Sequence, residues 1–192
     1  MIMSASIDYP FTLEKIKGLN VGDRVCVSGK IVTGRDRVHW YLFEGGRSPV
    51  ELNDGCIFHC GPVVIRNGDG WSVRAAGPAT SIRHESYMPR IIEQYGLRVI
   101  IGKGGMGKAT QEACVRCGCI YLQAVGGTAA TVAEKISAVH KAHLVREFGV
   151  AEALWELEAD GLETVVAIDT HGGNLHGEIE ESSLQVFRAL LK

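Results

Sequence analysis

Short apolar runs, each closed by glycines and separated by stretches of helical length, set the tightest limit on how this chain can fold. Residues 97–101 (LRVII) form one such run, closed by the glycines of Gly102-Lys103-Gly104-Gly105-Met106-Gly107. Residues 119–125 (CIYLQAV) form another, closed by Gly126-Gly127. Between them, residues 107–117 read as a helix. The 24 glycines fall mostly in such punctuating groups. Strands interleaved with helices point to an α/β fold.

The N-terminal half reads as richer in β-structure. Residues 24–32 (RVCVSGKIV) are short and β-branched, and read as a strand. The following RDRVHWYLF opens a helix with Thr33 or Gly34 near its cap. Residues 57–65 and 71–76 read as paired strands about the turn Asn67-Gly68-Asp69-Gly70. Residues 81–95 are helical in pattern, with Pro89 expected to break or kink them. In the C-terminal half, residues 128–148 read as one long amphipathic helix, with Val132, Ile136, Val139 and His140 near one face. A last strand at 164–168 and a C-terminal helix at 180–191 complete an alternating β-α half. Residues 1–192 are expected to form one domain.

Composition narrows the function classes. The net charge of −2 gives no global reason to expect nucleic acid or an anionic membrane as partner. No apolar run reaches membrane-spanning length, and the N-terminus lacks the basic stretch and apolar core of a signal peptide. Six cysteines without such a signal read as reduced thiols, so a cytoplasmic location is expected.

Three segments put cations or hydroxyls beside glycines at element boundaries. In the first, Arg35 and His39 are four apart and share a helix face, with Asp36 placed to orient Arg35 toward a carboxylate. The bland alternative is an ordinary ion pair at a solvated helix start. In the second, Gly77-Pro78 is followed by Ala79, Thr80, Ser81 and Arg83. Its hydroxyls read either as helix caps or as part of an anion site. In the third, Lys103 and Gly104 sit in the glycine loop, whose backbone could approach a ligand closely. This loop also matches a phosphate-binding P-loop except that Ala109 replaces the hydroxyl residue, and residues 165–169 could mimic its partner strand, ending at Asp169. Cys114, Cys117 and Cys119, extended by Cys56, His59 and Cys60, have metal-like spacing, but core packing is the better account and no metal site is expected in this chain.

Taken in order, these pieces resemble the C-terminal domain of class I fumarases and the small subunit of two-chain fumarases and L-tartrate dehydratases. The pieces are Gly22-Asp23 with Val27-Ser28-Gly29, Arg35-Asp36 with His39, His59-Cys60-Gly61-Pro62, Gly77-Pro78 through Arg83, residues 101–106, and Gly126-Gly127. The resemblance implies a swivelling β/β/α domain that closes over a site shared with a larger α subunit, expected as an α2β2 heterotetramer. A [4Fe–4S] cluster would belong to that partner and not to this chain. It further implies reversible hydration of a C4 dicarboxylate, fumarate first and L-tartrate as the alternative. Arg35, Arg83, Lys103 and Gly104 would hold substrate, Thr80 and Arg83 would act in catalysis, and Asp36, His39 and His84 would support them. The family's base position falls on Ala79, so Thr80 is the nearest hydroxyl, and His84, expected to be exposed, is the other proton-transfer candidate.

Overall fold

The computed structural model describes residues 4–68 and 70–191. In chain order the elements are β1 (Ala5–Asp8), α1 (Leu13–Ile16), β2 (Arg24–Gly34), α2 (Asp36–Phe43), β3 (Cys56–His59), β4 (Val63–Asn67) and β5 (Gly70–Ala75). After a 3-10 turn at Ser81–His84 come α3 (Met88–Tyr95), β6 (Val99–Gly102), α4 (Lys108–Cys117), β7 (Ile120–Gln123) and α5 (Ala129–Glu134). The chain ends with β8 (Ile136–His143), α6 (Val145–Phe148), β9 (Leu154–Ile168) and α7 (Leu175–Leu190). The α/β expectation holds.

Seven strands run in the order β1-β2-β3-β6-β7-β9-β8, and β2 also pairs with β9. That pairing closes β2, β3, β6, β7 and β9 into a ring. β1, β2, β3, β6 and β7 are parallel, while β9 is antiparallel to β2, β7 and β8. Both faces of the central strands are buried, so their sequences are almost wholly apolar. The alternation of side chains sorts them into two clusters. Phe58, Val99, Ile101, Ile120, Leu122, Trp155 and Leu157 join one cluster, which β4 and β5 cover with Val64, Trp71 and Val73. Ile57, Ile100 and Tyr121 join the other, beneath Val38 and Leu42 of α2, Ile91 and Ile92 of α3, and Ala113 of α4.

Several boundaries differ from the sequence reading. The proposed long helix at 128–148 is instead the short α5, then β8, then α6. β8 pairs with β9 through two bulges, so Ile136, Val139 and Ala142 stand opposite Ala159, Leu157 and Trp155. Each bulge inserts one residue, turning a strand period of two into three, which imitates a helix. The last strand starts at Leu154, well before residue 164. The strand expected at 57–65 is split between β3 and β4, because Gly61-Pro62 interrupts the ladder. The expected helix at 81–95 is the 3-10 turn followed by α3, and Pro89 sits in the first turn of α3, where its missing N–H is harmless. The N-cap of α2 is Arg35, not Thr33 or Gly34. The turn expected at 67–70 includes Asp69, which lies outside the described residues. α7 begins at Leu175, earlier than residue 180.

Candidate functional site

The parallel strands β2, β3, β6 and β7 end at one rim of the ring, and α/β folds with parallel strands bind their ligands at such carboxyl ends. Gly34 stands opposite His59, Phe58 opposite Ile101, and Gly102 opposite Gln123. The next residues along β2 and β6 are Arg35 and Lys103. Between the ends of β3 and β6 the chain inserts residues 78–81. Ala79 N–H donates to His59 O at 2.6 Å, Lys103 N–H to Ala79 O at 3.1 Å and Ser81 N–H to Lys103 O at 3.0 Å. Thr80 thereby faces Lys103 in a parallel bridge.

Arg83, on the 3-10 turn, donates to Asp36 Oδ2 at 3.0 Å, which links the second predicted segment to the first. Both side chains of this pair are well exposed, at 60% and 42%. Such a pair is worth about 0–1 kcal/mol, so a substrate carboxylate could replace Asp36 at little cost. Arg35 is held more firmly. Its Nε lies 3.2 Å from Glu152, whose other oxygen accepts from Arg37 N–H at 3.1 Å. Gly61 makes room for its stem, since a methyl there would come within 2.6 Å of Arg35 Cδ. Among the described residues, no carboxylate stands within ion-pair distance of Lys103.

Behind these cations lie three buried imidazoles. His39 and His84 are stacked with ring centroids 4.1 Å apart, and His59 meets them edge-on at 4.8 and 4.6 Å. His39 Nδ1 lies 2.7 Å from Arg35 O and donates to it, so His39 braces the start of α2. His84, expected to be exposed, is 1% exposed, because the 3-10 turn points it inward while Arg83 points out. Desolvation lowers all three. His39 falls to about 3, helped by the neighbouring His84. His84 falls to about 4, although Asp36 pulls it up against Arg83 and Arg35. His59 is held well below its ordinary value. His39 Nε2, His59 Nε2 and His84 Nδ1 are buried without a hydrogen-bond partner. The trio is therefore neutral at pH 7 and adds no charge to the site.

The hydroxyls do not cap the turn. Thr80 occupies its N-cap position but makes no side-chain cap bond. Ser81 Oγ is instead 2.9 Å from His59 Nδ1 and 2.9 Å from Tyr121 Oη, which also reaches Gly104 O at 2.8 Å. The sequence reading missed the roles of Ser81 and Tyr121 here. The one signal was a tyrosine within an apolar strand, whose hydroxyl must find a partner when buried. His176, also missed, covers Gly105, leaving a methyl there only 2.9 Å from its Cβ, and bonds Gln123 at 2.7 Å.

The P-loop alternative meets an obstacle at α4. Glu85 accepts from Gly107 N–H at 2.7 Å, Thr110 N–H at 3.1 Å and Thr110 Oγ1 at 2.7 Å. A carboxylate of the chain itself thus fills the helix N-terminus where a phosphate would bind. Asp169 is likewise committed, accepting from the N–H groups of Val21, His171 and Gly173. Burial pushes its pKa up, but these bonds outweigh that and leave it lowered.

The cysteines do not form a cluster site. Cys56 and Cys60 lie in one core cluster, and Cys114 and Cys119 in the other across the sheet. Burial pushes Cys60 up to about 12 and Cys56 and Cys119 well above their ordinary value, so these thiols keep their protons and are poor ligands. Among the described residues, no three His, Cys, Asp or Glu side chains converge to hold a metal ion. An iron–sulfur cluster does not fit this donor set. Among the described residues, no helix is long and apolar enough to cross a membrane.

Residues 3–179 match the model of a family described as fumarase C-terminus. The chain is 46% identical over 181 residues to “Putative fumarate hydratase class I” of Geobacillus stearothermophilus, covering 94% of this chain and 35% of that protein. It is 37% identical over 178 residues to the L(+)-tartrate dehydratase subunit beta of Escherichia coli K12, covering 92% and 88% of the two chains. A Methanocaldococcus jannaschii protein named “Putative L(+)-tartrate dehydratase subunit beta” is 34% identical over 193 residues, covering 96% and 99%. The chain thus spans about a third of the first relative and most of the other two.

Proposed function

The chain belongs to the fumarase C-terminus family, and we propose from that premise that it is the smaller, β-type subunit of a hydro-lyase acting on a C4 dicarboxylate. The observation that carries this is that Arg35 and Lys103 follow the ends of β2 and β6 on one side of the sheet, while Arg83 is bonded to Asp36 beside Arg35 and Thr80 is bridged to Lys103. The identity to a relative named fumarate hydratase supports fumarate and malate as the substrate pair. The separate-subunit relatives named for L(+)-tartrate support tartrate as the alternative. One added hydroxyl changes few pocket contacts, so the choice falls to assay.

Dehydration removes a proton from the carbon next to a carboxylate, and negative charge builds on that carboxylate as the C–H bond breaks. Fixed cations aimed at it stabilise the transition state more than the ground state. Lys103 does this directly, and Arg83 does it once a substrate carboxylate replaces Asp36 on its guanidinium. Arg35, anchored by Glu152, sets the orientation of the bound dicarboxylate. Thr80 is exposed, and its hydroxyl is not spent on a cap bond. Beside Lys103 its hydroxyl first gives its own proton to solvent, and the alkoxide, stabilised by the cation, then takes the proton from carbon and returns it in the reverse direction. His84 is walled in behind Arg83 and serves as a neutral support.

In this reading the larger partner supplies the iron–sulfur cluster and covers the open side of the site, giving an α2β2 assembly in the cytoplasm. The supporting observation is that five of this chain's six cysteines, all but the half-buried Cys26, lie in or against its two cores. Anaerobic mixing with a cluster-bearing larger subunit should give fumarate hydration that neither chain shows alone. A formed complex that turns over neither fumarate nor L-tartrate would overturn the assignment.

A further inference from the structure

The contacts around Ser81 admit only one arrangement of protons. Tyr121 Oη lies 2.8 Å from Gly104 O and 2.9 Å from Ser81 Oγ. A carbonyl only accepts, so the single phenol proton goes to Gly104. The contact between Tyr121 and Ser81 then needs the serine proton, which leaves Ser81 none for His59. His59 Nδ1, 2.9 Å from Ser81 Oγ, must therefore carry the proton and donate it. The result is a one-way chain from His59 through Ser81 and Tyr121 to the Gly104 carbonyl. Ser81, His59 and Tyr121 are all 0% exposed, so water does not compete for these bonds.

The chain ends at a sensitive place. Lys103 is already tied on its own backbone, its N–H to Ala79 O and its carbonyl to Ser81 N–H. Gly104 follows at φ +71°, where the backbone turns away. The Tyr121 bond is the fastening on that far side. Gly102, on the near side, has no room for a side chain, since a methyl would overlap Ser81 Oγ and stand 3.1 Å from His59 Nδ1. The same serine and histidine thus pack against Gly102 and, through Tyr121, fasten Gly104.

We propose that Tyr121, together with Ser81, is a positioning residue that acts through Lys103, fixing the direction of its ammonium for the dicarboxylate. This rests on the function proposed above for the role of Lys103, while the fastening itself is a property of the chain. The test is a double-mutant cycle in the assembled enzyme with Tyr121→Phe and Lys103→Ala, which separates action through a partner from general damage. Tyr121→Phe alone should lower kcat/KM about tenfold or more with the unfolding midpoint close to that of the unsubstituted chain. In the Lys103→Ala background the same change should cost less than twofold. Equal losses in both backgrounds, or no loss in either, would overturn the proposal.

Hydrogen exchange on the full chain gives a readout that needs no activity. Tyr121→Phe should speed exchange across residues 101–106 and leave residues 154–168 unchanged. Unchanged exchange at 101–106 would refute the fastening. If the unsubstituted complex is inactive on both dicarboxylates, the function fails while the exchange result still decides the fastening.

Discussion

Lowering the pH from 7 to 5 should destabilise this chain by an amount set mainly by three side chains. In the unfolded chain an ordinary histidine, with a pKa near 6.5, goes from about a quarter protonated at pH 7 to nearly fully protonated at pH 5. In the folded chain His39 and His84 are held down to about 3 and about 4, and His59 well below its ordinary value. The unfolded state therefore binds protons that the folded state refuses. Stability is fully present above pH 6.5 and is lost as the pH falls below it, until each folded pKa is reached, near 4 for His84 and near 3 for His39. Each imidazole that stays neutral contributes about 2 kcal/mol of loss over this interval, or roughly 6 kcal/mol for the three. That is comparable with the whole stability of a typical domain, about 5–15 kcal/mol. The groups facing the trio are Asp36, which favours protonation, and Arg83 and Arg35, which oppose it. The assay is urea unfolding at pH 7, 6 and 5, repeated for His84→Gln. The variant should lose about one imidazole's share of the pH dependence. A flat midpoint from pH 7 to 5, or an unchanged slope in the variant, would refute a buried neutral trio.

Lys103→Ala and Arg83→Ala should each lower turnover of the assembled enzyme by about a hundredfold, near 3 kcal/mol, without unfolding the chain; steady-state kinetics beside a melting curve checks this. Gly102→Ala should destabilise by about 1–3 kcal/mol, because the added methyl overlaps Ser81 Oγ; a wild-type unfolding midpoint would contradict the packing. On β8, Val139→Asp should lower the midpoint strongly, since Val139 packs on the ring's core. His140→Ser should change stability by no more than about 0.5 kcal/mol, its side chain being 47% exposed. Equal damage from the two would favour a helix at that position.

What could be read from the sequence followed how local its cause is. The β6-α4-β7 unit was legible because both strand faces are buried and glycines mark the ends. β8 was not, because its apolar spacing of three comes from bulges dictated by β9, far along the chain. The early part of β9 was legible and overlooked: Trp155, Leu157 and Ala159 alternate with Glu156 and Glu158. Arg35, Arg83 and Lys103, the cations of the proposed site, could be singled out because motifs carry them. The fastening by Tyr121, the anchoring of Arg35 by Glu152 and the burial of His84 depend on contacts between distant segments. No local pattern encodes those.

The Glu85 carboxylate seated on α4 makes this loop a poor target for free anions. A tethered group competes at an effective concentration of millimolar or more, without losing the freedom of a second molecule. Inorganic phosphate or a nucleotide would first have to displace it, and would then leave Thr110 and the Gly107 amide to be satisfied afresh. The glycine loop is thus insulated from the commonest anions in a cell, and its positive potential is left to Lys103. Glu85→Gln would weaken that insulation, turning a self-occupied pocket into one that can be inhibited from outside.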